Sequence, residues 1–184
     1  MSLFHNRQGQ MGWDYTYFYT ETIQNFSHLL ADDKLKMVII QSLQYLVKKE
    51  LITVYGFVIM PNHIHLLWSI TGINGKESPA GSFSKFTAHE FKKYLLQTDL
   101  AKLATFSTDK IDRKYHFWKR DPLAIQMSSE LIFTQRLNYI HNNPLQEKWK
   151  LCKSPEEYRW SSAKFYLTSE DEFEILKNYR DGNL

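Results

Sequence analysis

Val58-Ile59-Met60-Pro61-Asn62-His63-Ile64-His65-Leu66-Leu67-Trp68 places two apolar, β-forming runs on either side of a Pro-Asn dipeptide, which predicts strand, tight turn and strand. Along an extended strand, side chains two apart share a face, so His63 and His65 project together while Ile64 turns the other way. On a helix the same spacing would splay the two rings apart. Two imidazoles on one face are either a ready pair of metal ligands or two hydrogen-bonded histidines of the core. Leu66, Leu67 and Trp68 already supply apolar bulk, so packing alone does not require both rings.

Working outward, the strands of this hairpin span Leu51 to Met60 and His63 to Ile70. Upstream, Asp14 to Phe26 is dominated by Tyr, Thr and Phe and predicts a long first strand. Asp32 or Asp33 then caps a helix whose Leu35, Val38, Ile39, Leu43, Leu46 and Val47 recur at helical spacing. Downstream, Gly72, Asn74-Gly75, Pro79 and Gly81 mark a flexible loop before a second helix that opens at Ser82 and packs through Phe83, Phe86, Phe91 and Leu95. A fourth strand runs to Met127, and Ser128 or Ser129 caps a third helix with Glu130 in its first turn. Phe133, Leu137 and Ile140 are its buried stripe, and Pro144 ends it by pushing the preceding residue out of helical geometry. The order strand, helix, strand, strand, helix, strand, helix predicts an α+β fold of the ferredoxin-like, split βαβ kind. Its antiparallel sheet has four to five strands, with helices on one face. We expect one domain over residues 1–184, with 1–12 loosely held and 149–184 wrapping the core.

A chain of 184 residues, 43% hydrophobic and 15% aromatic, can bury a substantial core, which argues against disorder. No apolar run is long enough to cross a bilayer, and the opening residues lack the basic-then-apolar pattern of a secretory signal. A lone Cys152 excludes an intrachain disulfide and a cysteine-based zinc site. The cytoplasm is the expected compartment. A net charge of +3 permits a nucleic-acid partner without demanding one.

Basic residues recur in two places. Lys85, His89 and Lys92 fall at i, i+4 and i+7 on the second helix, as a solvated face or a phosphate-tracking stripe. Arg113, Lys114, Trp118, Lys119 and Arg120 interleave cations with Tyr115, His116 and Phe117. That mixture suits single-stranded nucleic acid, with cations for phosphates and rings for unpaired bases. An edge strand with a basic flank has the same composition. On the third helix, Arg136, Tyr139 and Asn143 follow at i, i+3 and i+7 and share a side.

A divalent ion on two imidazoles keeps open positions for a phosphodiester oxygen. Tyr139 is the candidate nucleophile, because a phenol can attack phosphorus and retain the bond energy as a covalent phosphotyrosine. Tyrosine in water has a pKa of about 10, so roughly one in a thousand is ionised at neutral pH, a handicap of about 4 kcal/mol that a nearby cation offsets. Asn143, one turn further on, can offer an amide oxygen as third ligand. Read structurally instead, Tyr139 is an interfacial helix residue and Asn142-Asn143-Pro144 an ordinary helix stop.

Pro61-Asn62-His63-Ile64-His65-Leu66-Leu67 followed by Tyr139-Ile140-His141-Asn142-Asn143-Pro144 resembles the HUH single-tyrosine transposases, most closely their REP-associated branch. Tyr158-Arg159-Trp160-Ser161-Ser162 looks like the tyrosine-x-tryptophan-serine-serine motif of that branch, and the similarity runs from about Tyr15 to Tyr166. The resemblance implies metal-dependent cleavage and rejoining of single-stranded DNA, usually near a hairpin, through a 5′-phosphotyrosine. It makes His63 and His65 the paired ligands of Mg²⁺ or Mn²⁺, Tyr139 the nucleophile, and Asn143 the polar third ligand, where insertion-sequence relatives commonly carry Gln. Both monomers and homodimers occur among such proteins. The absence of Thr or Ser two positions after any histidine here counts strongly against a phosphoesterase with paired His-x-Thr or His-x-Ser motifs. Many relaxases place the tyrosine before the histidine motif, the reverse of the order here. The remaining alternative is a protein that binds single-stranded or hairpin DNA on the same fold without cutting it.

Overall fold

The computed structural model describes residues 5–6, 11–13, 15–109 and 114–181. In chain order its strands are β1 (His5–Asn6), β2 (Thr16–Thr22), β3 (Ile52–Met60), β4 (His63–Ile70) and β5 (Leu123–Gln126). Its helices are α1 (Asp33–Lys48), α2 (Pro79–Thr98), α3 (Leu100–Ala104), α4 (Glu130–Asn142) and α5 (Ala163–Thr168). The strands form one antiparallel sheet in the order β1-β5-β2-β4-β3. Its four main strands carry the split βαβ topology expected from the sequence. β1 adds a short outer rung, with His5 opposite Ile125 and Asn6 opposite Ala124, inside the stretch expected to be loosely held.

Helices cover both faces of the sheet, not one. Side chains alternate along β2, so Tyr17, Tyr19 and Glu21 point one way and Phe18 and Thr20 the other. Ser84 of α2 bonds Glu21, whereas Tyr139 of α4 packs on Phe18, so α2 and α4 lie on opposite sides. The sequence pattern conceals this because β4 is apolar on both faces apart from its histidines and Ser69, and a strand covered twice loses its alternation.

Local corrections have local causes. β2 stops at Thr22 rather than Phe26, since the chain turns there through a 3₁₀ segment, Gln24–Phe26. α2 starts three residues before Ser82, with Ser78 as cap and Pro79 in the first turn, a position that tolerates proline's missing N–H. Phe86 of that helix faces solvent instead of the core. Asp32 caps α1, and Ser129 caps α4.

Two devices fix α4 over the sheet. A bulge falls between Val54 and Gly56, and a methyl group at Gly56 would come within 2.7 Å of Leu137 and 3.2 Å of Ile140, so the glycine permits the close approach. The segment Tyr158–Ser162 covers the free edge of β3. There Ile59 N–H donates to the Trp160 carbonyl (2.8 Å), Ser162 N–H to the Phe57 carbonyl (3.0 Å), and the Tyr158 hydroxyl to the Ile59 carbonyl (2.8 Å). Ser162 Oγ also meets His141 Nε2 at 2.8 Å, tying α4 to the same edge. No helix among the described residues is long and apolar enough to cross a membrane.

Candidate active site

β4 and α4 bring the sequence-predicted chemistry together. The His63 and His65 rings have centroids 4.8 Å apart, and the Tyr139 ring meets His65 edge-on at 5.4 Å. Phe18 stacks on His65 at 5.1 Å and touches Tyr139 at 6.1 Å, so the nucleophile candidate and the imidazole share one aromatic floor. Tyr139 remains 43% exposed and open to a substrate. Both groups belong to one chain.

Hydrogen bonds orient both histidines. Asn62 Nδ2 donates to the Phe26 carbonyl (3.2 Å), which leaves Asn62 Oδ1 facing His63 Nδ1 at 2.6 Å. An amide oxygen only accepts, so Nδ1 carries the proton and Nε2 of His63 presents its lone pair. Thr20 Oγ1 lies 2.7 Å from His65 Nδ1 and orients that ring, the hydroxyl being able to accept or to donate there. Such outer partners orient metal-binding imidazoles. Burial, reinforced by Lys148, holds His63 down to about 4. Burial, then His63, Arg136 and Lys148, keeps His65 well below the ordinary histidine range. Both rings are therefore neutral at pH 7, as ligands must be.

Among the described residues, buried side-chain atoms without a hydrogen-bond partner are His65 Nε2, both Nδ2 and Oδ1 of Asn143 and Trp149 Nε1, together with Ser27 Oγ and Trp68 Nε1. Folded proteins rarely leave such atoms orphaned, because each costs roughly 1–3 kcal/mol. Asn143 is only 1% exposed. Contrary to the expectation that Pro144 would push it out of helical geometry, its φ of −57° and ψ of −42° stay helical before the 3₁₀ turn Asn143–Leu145. It therefore keeps the one-turn register with Tyr139. An orphaned imidazole nitrogen and an orphaned amide oxygen are both donor types that a divalent cation accepts. Among the described residues no group of three His, Cys, Asp or Glu is placed to hold a metal ion.

The expected DNA-binding residues divide sharply. Arg136 lies beside the site, its guanidinium 5.1 Å from the Phe18 ring centre. Lys85, His89 and Lys92 are exposed on α2, whose packing side is the other face of the sheet. There Lys85 pairs with Glu77 (3.2 Å), His89 lies 3.9 Å from Glu90, and Lys92 sits over Tyr115. Trp118 is 5% exposed, donates from Nε1 to Thr87 Oγ1 (2.9 Å) and packs on Phe83 and Phe91. It is a core residue, not a base-stacking one. Lys114, Lys119 and Arg120 are exposed, the last two lining a cleft of about 630 Å³ with Lys85, Tyr115 and Glu21. Arg113 lies outside the described residues.

Sequence reasoning missed Thr20, Asn62, Lys148 and Trp149. Asn62 was visible in the Pro-Asn-His-Ile-His run but read only as a turn residue. Lys148 and Trp149 return to His63 through the turn after Pro144, with Trp149 at 5.9 Å from His63 and 5.5 Å from His28, and no periodicity foretells that return.

No protein-family model and no curated protein matches this chain. Among solved structures, it resembles a REP-associated tyrosine transposase bound to a REP hairpin, with a TM-score of 0.59 at 13% identity over 97% of this chain and 93% of that one. The fold is that of a tyrosine transposase.

Proposed function

We propose that this protein is a metal-dependent endonuclease and strand transferase of single-stranded DNA, of the HUH single-tyrosine transposase kind, acting next to hairpins and working in the cytoplasm. The observation that carries the proposal is the packing of an exposed Tyr139 on His65, whose buried Nε2 has no partner, with the orphaned Asn143 amide one helical turn from Tyr139.

His63 Nε2, His65 Nε2 and Asn143 Oδ1 would hold Mg²⁺ or Mn²⁺. Bound there, the ion would polarise the scissile phosphodiester and offset the charge that develops on displacement. Tyr139 Oη attacks the phosphorus, the P–O3′ bond breaks, and the phenolic proton ends on the departing O3′. The products are a free 3′-hydroxyl and a 5′-phosphate esterified to Tyr139. Attack by another strand's 3′-hydroxyl reverses the step, releasing Tyr139 and joining the strands. Fixing the tyrosine and the amide on α4, itself pinned at Gly56 and Ser162, supplies the orientation that such displacement requires.

The test is incubation with an end-labelled hairpin oligonucleotide bearing single-stranded flanks, in Mn²⁺ or Mg²⁺, followed by a denaturing gel. We expect a covalent adduct that disappears in Tyr139→Phe and on chelation. Hairpin binding with no adduct in the unmodified protein would replace this reading with that of a non-cleaving DNA-binding protein.

A further inference from the structure

The connection between β2 and α1 holds an aromatic ring where packing gives no reason for one. Phe26 is 59% exposed, although a side chain of that size ordinarily favours burial. Its backbone has a φ of 52° and follows Asn25 at 57°, so two consecutive non-glycine residues occupy the left-handed region. Asparagine tolerates that conformation, whereas phenylalanine is strained in it. Such strain persists only where the surroundings enforce it, and it concentrates at functional sites.

The surroundings do enforce it. Ile23 N–H donates to the Asn62 carbonyl (2.8 Å), Gln24 N–H to the Phe117 carbonyl (2.6 Å), Lys119 N–H to the Thr22 carbonyl (2.7 Å) and Leu30 N–H to the Pro61 carbonyl (2.9 Å). Lys119 Nζ sits 4.4 Å from the centre of the Phe26 ring. Asn62 bridges the Phe26 carbonyl and His63 Nδ1, so one amide sets both the loop and the imidazole. Thr22, from which the loop departs, is the ladder partner of His63.

We propose that Phe26 and Lys119 form a subsite for one unpaired nucleotide of the flanking strand, at the end of the sheet where Asn62 joins the loop to His63, the ring stacking the base and the ammonium holding its phosphate. The proposal rests on reading the histidine face as a DNA-cleaving site. Charge selects the occupant. Lys119 and Arg120 are exposed, and neither forms an ion pair with a described carboxylate. A ring interleaved with unpaired cations suits a polyanion carrying π-faces, which is what single-stranded nucleic acid offers. Base stacking is tolerant of sequence, so this subsite would position the strand without reading it.

The test uses the full chain carrying Tyr139→Phe, so that binding is measured without cleavage, and follows the anisotropy of a labelled hairpin with or without single-stranded flanks. Adding Phe26→Ala is expected to weaken the flanked hairpin roughly ten- to a hundredfold. It should leave the flankless hairpin and the melting temperature unchanged. Phe26→Trp should restore affinity, and a single abasic nucleotide in the flank should weaken the parent while leaving the Phe26→Ala protein indifferent. Equal affinity of parent and Phe26→Ala for the flanked hairpin would overturn the subsite alone. Failure of the parent to bind any flanked hairpin would overturn the cleavage reading and the subsite with it.

Discussion

Glu21 on β2 and His65 on β4 occupy adjacent rungs of the same ladder, face opposite sides of the sheet, and are accommodated in opposite ways. Glu21 is 2% exposed and fully partnered: the Tyr19 hydroxyl reaches Oε2 at 3.0 Å and Ser84 Oγ reaches Oε1 at 2.7 Å. His65 keeps one nitrogen satisfied and the other orphaned, with the unpaired Asn143 amide at the end of the helix that crosses it. Burying a polar group costs stability unless the protein repays its lost water. Where the cost is met, the group is part of the scaffold. Where it is left standing beside an exposed phenol, the group is available to the cation proposed above.

The largest effect expected from this contrast is on chemistry. His65→Ala should lower adduct formation by about a hundredfold or more, because it removes a ligand no neighbour can replace. Mixing it with Tyr139→Phe should restore nothing, since nucleophile and imidazoles come from one chain. Adduct recovered in the mixture, read on the same denaturing gel, would mean that copies exchange α4 and that the site is shared between chains.

The two faces also carry opposite pH signatures. Burial raises Glu21 to about 7, against the Ser84 and Tyr19 hydrogen bonds that lower it. The folded protein therefore binds a proton that the unfolded chain releases between about 4.5 and 7. Its stabilising share is complete below about 4.5 and disappears as pH rises through 7, a loss of about 3 kcal/mol. Histidines depressed by burial, His63 and His141 each to about 4, act the other way. They bind fewer protons folded than unfolded, so their contribution is present above about 6.5 and is lost as pH falls toward 4. In the unmodified protein the two trends offset each other. Glu21→Gln removes one of them, and urea titrations across pH 4–8 should then show stability rising up to about pH 6.5 and level above it. A decline persisting above pH 6 in that variant would place the titrating acid elsewhere.

Much of this contrast could be read from the residues, because it rests on local rules. Period two in His63-Ile64-His65 gives a shared face, and a four-residue step from Tyr139 to Asn143 gives a shared helix side, whatever the rest of the chain does. The hairpin and the caps of α1 and α4 follow from similarly short-range chemistry. What was misread depends on tertiary approach. Trp118 sits among cations in sequence yet turns inward to Thr87, because a strand edge beside α2 needed filling. Phe26 looked like the end of a strand because its composition is β-forming, and only the bonds from Asn62 and Phe117 bend it into a turn. Lys148 and Trp149 come back to His63 by a path that composition cannot encode.

Asn143 gives the smallest effect and the most direct test of the contrast. Replacing a partnered buried group with an apolar one breaks bonds and costs stability, whereas replacing an orphaned one removes a penalty. Asn143→Leu keeps the branching at Cγ and deletes two unpaired polar atoms, so it should raise stability by about 1–2 kcal/mol, a melting shift of a few degrees, while weakening adduct formation and Mn²⁺-dependent stabilisation. Glu21→Leu, which strands the Tyr19 hydroxyl and takes one acceptor from Ser84, should move stability in the other direction. Opposite signs at the two positions are the expected result of a face built for strength and a face built for a ligand. If Asn143→Leu is destabilising instead, its amide is satisfied by water in the free protein, and the third ligand position loses its structural argument even where His63, His65 and Tyr139 keep theirs.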